Sequence, residues 1–137
     1  MKHIVYNHYV VMFFIMLLSG LLSTMNVWVD KYDDIRLSLN DLYMILLMGG
    51  WMIFFMGLWY RELYPVLIGL CIAIVNIWCI RAQFLVNENQ YKNGMIPHHS
   101  MAILMSKKLL EKENNIGEFL ENIINTQEKE IAFMKSP

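Results

Sequence analysis

Charge is scarce in this sequence. Asp, Glu, Lys and Arg make up 17% of its 137 residues, below the roughly 25% of an ordinary soluble domain. The formal net charge is -1, so no basic field invites nucleic acid. Cysteine is nearly absent. Cys71 and Cys79 share one apolar run, and eight residues along a helix separate them by about 12 Å, too far for a bridge within it. They read as inert buried thiols. Motifs of catalysis are missing too. There is no His-Glu-x-x-His, no Glu-x-x-His and no glycine-rich phosphate loop, which removes the usual zinc, di-iron and nucleotide readings. No carboxylate or lysine interrupts the apolar runs, so no proton or ion path is marked through them. The chain is not expected to be an enzyme.

Apolar residues are abundant, at 57%, and methionine stands out with 12. Tyr9 to Val29, Leu42 to Tyr60 and Leu63 to Ile80 are free of charge. Each reaches the roughly 18 residues needed to cross about 30 Å of hydrocarbon as a helix. The first is too long for a signal-peptide core and reads as an uncleaved anchor. Trp28, Trp59, Tyr60, Tyr64 and Trp78 lie near the run ends, where aromatic rings favour the membrane interface. Only Arg61-Glu62 separates the second and third runs, so they form a tight antiparallel hairpin. Asn26 and Asn76 are the most polar residues of the spans and fit interhelical hydrogen bonding. This gives an all-α chain. Residues 1–90 form a membrane domain with spans near 9–29, 42–60 and 63–80, and residues 91–137 form a C-terminal helical domain.

After Ile80 the composition turns polar, with seven Lys/Arg and seven Asp/Glu over residues 81–137. Residues 81–90 read as an extension of the third helix, and Asn93-Gly94 as a turn. Pro97 suits the first turn of an amphipathic helix reaching about Glu113. Asn114-Asn115 breaks it. A second helix runs from about Ile116 to Lys135, with Ile116, Phe119, Leu120, Ile123, Ile124, Ile131 and Met134 at helical spacing. On the first helix His98, Met101 and Met105 share a face, with His99 beside it and Met95 just before. Imidazole and thioether are borderline and soft donors, and thioethers select Cu(I) over hard cations. Gln127 and Glu130 lie on the apolar side of the second helix, where they need a buried partner. Either could hold an imidazole N–H. Methionines at this spacing also serve as core filler. So does the Met44, Met48, Met52 and Met56 stripe of the second run. His3 and His8 fit solvated interfacial residues.

Met-Ile-Pro-His-His at 95–99, Ala102, Met105 and Ile-x-x-x-Gln-x-x-Glu-Ile-x-x-Met over 123–134 resemble the domain-of-unknown-function 305 family. Its soluble members are ferritin-like helical proteins, and some bind copper. The three upstream runs and Arg81-x-Gln83 look like its membrane-anchored members. The resemblance implies that Met95, His98, His99, Met105, Gln127, Glu130 and Met134 belong to one site. It also implies that the C-terminal domain is half of a ferritin-like four-helix bundle. Soluble members often carry a second His/Met helical pair, and this chain has one. Asn93-Gly94 stand where members often have an acidic residue, and Met101 looks like an addition.

The expectation is therefore a membrane-anchored copper-binding protein for metal handling or resistance. Met95, His98, His99, Met101, Met105 and Met134 are the candidate ligands, with Gln127 and Glu130 in support. Neutral imidazole binds metal, so affinity should fall below about pH 6.5. The rivals are an assembly protein whose hairpin oligomerises without metal, and a small transporter using the Met44–Met56 stripe. Expected partners are the lipid bilayer, further copies of the chain and a copper-handling protein. Lys2 against Asp30, Asp33 and Asp34 favours a cytoplasmic N-terminus and a C-terminal domain outside the cytoplasm, in a cell (inner) membrane. Lys31, Arg36, Arg81 and Lys92 argue the reverse, because the rule counts Lys and Arg.

Overall fold

A computed structural model describes residues 2–136, with side chains from Asn7 onward. Lys2, weighed above for orientation, and His3, read as an interfacial residue, lie outside the described side chains. Five helices follow in order: α1 (Lys2–Leu22), α2 (Leu39–Tyr60), α3 (Leu63–Ala82), α4 (Glu88–Leu110) and α5 (Gly117–Lys135). Short 3-10 turns occupy Met25–Trp28 and Tyr32–Asp34. Among the described residues there is no strand. Three stretches are long and apolar enough to cross a membrane: Asn7–Trp28, Leu39–Tyr60 and Leu63–Ala82.

The chain divides into two compact units. One takes the residues up to Thr24 and Leu39–Leu85; the other takes Met25–Ser38 and everything from Val86 onward. In the first unit α2 and α3 pack most closely. Small residues allow it. A Cβ placed on Gly69 would strike the backbone N of Phe54 and lie 2.7 Å from the Gly50 carbonyl oxygen. Ala73 is fully buried beside this seam. Such contact lets backbones approach where apolar burial against lipid gives no drive. On the α1 side, the Phe13 ring fills the space over Gly49.

The ends of α2 and α3 share one device. Arg61 (φ 55°) and Gln83 (φ 47°) turn left-handed. The following N–H groups, of Glu62 and Phe84, reach back to the carbonyls of Gly57 and Cys79 at 2.9 and 3.0 Å. This is the bond pattern that normally places glycine at the turn. It ends α3 at Ala82, so the expected extension over 81–90 is not formed. Asn76 is buried, and its amide donates to the Ile72 carbonyl one turn back, at 2.8 Å.

Asn26 behaves differently from the expectation of a span residue. It lies in the first 3-10 turn, where its side chain donates to the Arg36 carbonyl (2.7 Å) and accepts from the Arg36 N–H (3.0 Å). That pair clasps the two ends of the 25–38 segment.

Candidate functional site

Helix α4 begins nine residues earlier than Pro97 suggested. The Asn87 side chain accepts from the Gln90 N–H at 3.0 Å, and Glu88 occupies the first turn. An asparagine cap with an acid behind it is a strong start. Asn93-Gly94 is helical rather than a turn, and a Cβ on Gly94 would lie 3.3 Å from Ser38 Oγ. Pro97 is then an interior proline, which withholds one N–H from the helix ladder. The break between α4 and α5 falls at Asn114, as the sequence suggested. The Asn114 amide donates to the carbonyls of Leu109 and Lys112, and its oxygen accepts from the Ile116 N–H.

The two helices close on Ile96, Ile103 and Ile131, with Ile124 and Met134 packed against them. Met134 is therefore partly buried against the apolar core. Truncations here belong to the class that costs about 2–5 kcal/mol.

One face of this hairpin is covered by the 25–38 segment. Ser100 and Asp34 are its two fully buried side chains. The Ser100 hydroxyl donates to Asp34 Oδ2 at 2.6 Å and accepts from the Asp30 N–H at 2.8 Å. Lys135 places its ammonium 2.7 Å from Asp34 Oδ1 and also pairs with Asp33. Lys107 reaches Asp30 Oδ2 at 2.8 Å. Hydrogen bonding to Asp30 is the main cause raising the Lys107 ammonium above its ordinary value, against a smaller opposing cost of burial. Burial pulls Lys135 down, but Asp33 and Asp34 together outweigh it and the net shift is upward. The hydrogen bond from Lys135 holds the Asp33 carboxyl below its ordinary value.

These shifts set a pH window. Raised lysines contribute fully below their ordinary value of 10.5 and lose the contribution as pH climbs through the raised value. A lowered carboxyl contributes above 3.8 and loses it as pH falls through the lowered value. The buried His99 ring, whose pKa is lowered from 6.5, adds a loss of stability that sets in as pH falls below that value. Hydrogen exchange of α4 amides should therefore stay pH-independent in protection between about pH 7 and 10, weaken below about 6.5 and weaken again beyond the lysine and carboxyl limits. Loss of protection between about pH 7 and 9 would show that other groups control the unit.

The opposite face is bare. At about 100° per residue, Tyr91, Met95, His98, Ala102, Met105 and Leu109 fall on one stripe of α4. It points away from Ser100 and Lys107, with Met101 at its edge. His98 is exposed and Met105 is 55% exposed. On α5 the matching stripe holds Ile116, Phe119, Ile123, Gln127 and Glu130. His99 marks the boundary between this face and the core. Its Nδ1 lies 3.1 Å from Glu130 Oε2, yet the atom is buried and makes no hydrogen bond. The distance would make an ion pair only with the ring protonated. Burial, opposed by Glu130 and assisted by His98, holds the His99 imidazole below its ordinary pKa, so it is neutral at neutral pH. The His98 and His99 rings are 6.0 Å apart between centroids.

The structure thus sorts the candidate residues. Met95, His98, Met105, Gln127 and Glu130 lie on the bare face with His99 at its margin. Met101 flanks it, and Met134 lies between it and the core, partly buried against the isoleucines. Among the described residues no three His, Cys, Asp or Glu side chains gather to hold an ion, so a metal here would depend on thioether sulfur. Imidazole and thioether together suit Cu(I). Sequence reasoning missed Asp30, Asp34, Ser100, Lys107 and Lys135, which build the covered face. The only signal was three acids within five residues beside an apolar run.

Comparison with known proteins adds kinship. The family model "Domain of unknown function (DUF305)" matches residues 81–136. "Uncharacterized protein L153" of Acanthamoeba polyphaga mimivirus is 44% identical over 128 residues, covering 86% of this chain and 82% of that one. No solved structure matches the chain.

Proposed function

The chain belongs to the family of that mimivirus protein and carries a DUF305 domain, and on that premise we propose that it is a membrane-anchored protein whose C-terminal hairpin binds Cu(I). Helices α1 to α3 are the anchor. Two crossings, by α2 and α3, return the chain to the side where residue 38 left it. This agrees with 25–38 and 86–136 folding together. The C-terminal unit then faces water outside the cytoplasm, where it would serve copper handling or resistance.

The observation that carries the metal reading is the exposure of His98 and Met105. A methionine that is 55% exposed is not filling a core. An exposed imidazole two turns before it, with Met95 on the same stripe, adds a second donor of soft character. His99 fits the same chemistry, since its ring is held neutral and its Nδ1 is unbonded. Gln127 and Glu130 support the imidazoles.

The second reading is assembly without metal. It is favoured by Phe119 and Phe133, which are 60% and 76% exposed. Competition against a Cu(I) chelator of known affinity separates the two. The detergent-purified parent should bind tightly and saturably. The His98→Gln/His99→Gln double variant should lose at least about 100-fold, or roughly 2.7 kcal/mol. Equal binding by parent and variant would remove the histidines from the site, and no binding by the parent would leave the assembly reading.

A further inference from the structure

The bare face of the hairpin invites a partner, and its chemistry names one. Tyr91, Met105, Leu109, Ile116 and Phe119 are all exposed on the side opposite the 25–38 segment. Together they leave about 500 Å² of largely apolar surface open per copy, the size of the largest patch on an ordinary monomer, which is often functional. Two copies joined through it would bury about 1,000 Å², the threshold for a specific interface. A two-helix layer with one covered and one open apolar face is also half of a four-helix arrangement.

Polar groups on the face favour a second copy over an unrelated protein. Glu130 and His99 sit at the same level of the hairpin, 3.1 Å apart, and His98 is adjacent but open. A two-fold axis near this level sets α4 of one copy against α5 of the other. It brings the carboxylate of one hairpin toward the exposed His98 of the other. There the carboxylate can accept from the imidazole N–H and leave the other ring nitrogen free for a metal. It also gathers the His and Met side chains of both copies, which one copy holds spread along an open stripe.

We propose that the copper site is shared: two copies close their bare faces on one another, and each supplies His98 and Met105 to ions held between them. This rests on the Cu(I) reading above. It adds that one chain alone has an incomplete site.

Phe119→Glu tests it. Phe119 is 60% exposed and is neither a candidate ligand nor a core residue, so the hairpin should keep its helicity by circular dichroism. Phe133→Glu, at the edge of the face, is the second variant. The full chain in detergent is examined by sedimentation with and without Cu(I), and by chelator competition. The parent should sediment as a dimer with Cu(I). Phe119→Glu should be monomeric and lose at least tenfold in Cu(I) affinity with every ligand intact, and Phe133→Glu should lose less. A parent that binds Cu(I) as a monomer would overturn sharing and leave the copper reading standing. So would Phe119→Glu with parental affinity. A parent that dimerises but ignores Cu(I) would overturn both.

Discussion

Asp34→Ala is expected to cost the C-terminal unit about 3 kcal/mol, because it strips one partner from a buried ionic group. Asp34 is 2% exposed. Its two oxygens face the Ser100 hydroxyl and the Lys135 ammonium at 2.6 and 2.7 Å. Alanine leaves the hydroxyl without its acceptor and the ammonium dependent on Asp33, which is largely solvated. A polar group left buried and unpaired costs about 1–3 kcal/mol by itself. The remainder comes from releasing the 25–38 segment from the hairpin. For a unit of this size the loss lowers the melting temperature by on the order of 15 °C. Asp34→Asn keeps an acceptor for Ser100 but no charge for Lys135, so it should fall between parent and Asp34→Ala. Thermal unfolding followed by exchange protection of α4 amides would measure it. A change below about 0.5 kcal/mol for Asp34→Ala, the range of ordinary surface substitutions, would mean that the ion pairs do not hold the segment.

Gly69→Leu should be worse for the first unit than any ordinary core enlargement. Overpacking a core costs about 1–3 kcal/mol because side chains can shift. Here the obstacle is backbone: Phe54 N and the Gly50 carbonyl stand where the first carbon would go. Helices α2 and α3 must separate along their seam. Gly20→Ala is the matched control. The atoms nearest its added carbon belong to the side chain of Ile45, at 2.9 Å, and a side chain can give way where a backbone cannot. The detergent-solubilised Gly69→Leu protein should lose its cooperative melt while Gly20→Ala retains it. If both melt like the parent, the α2–α3 seam is looser than its close contacts imply.

The apolar helices were legible because their signal is length and absence of charge. The second and third runs match α2 and α3 within three residues at each end. Helix α5 was legible from its periodic apolar positions, and its start at Gly117 is one residue from the expected one. The first run was less well read. Its last residues leave the α-helix for a 3-10 turn at Met25–Trp28, a change that hydrophobicity does not encode. Helix α4 misled because Asn93-Gly94 and Pro97 are local breakers. Tertiary packing overrode them, with Gly94 fitted against Ser38.

The candidate site was half legible. Spacing located the His/Met stripe, since a face of a helix follows from 3.6 residues per turn. It could not tell which face the rest of the chain would cover. That was decided by Asp30 and Asp34, some 70 residues upstream of their partners Ser100 and Lys107. Pairings of that range leave no periodic trace. Met134 shows the same limit: its periodic position on α5 did not announce that it would be partly buried against the Ile96, Ile103 and Ile131 cluster.

The clasped 25–38 segment also imposes an order on the life of a newly made chain. Asp33 and Lys135 are 102 residues apart, so the segment leaves the ribosome long before its last anchor exists. Contacts of such long range close late, after the loop entropy between them has been met. Until α5 is complete, Asp34 has no ammonium to meet, and the acidic segment is open to solvent and to proteases. The last turns of α5 thus set the moment at which the segment is sealed: a nascent chain that has not yet reached Lys135 cannot close it.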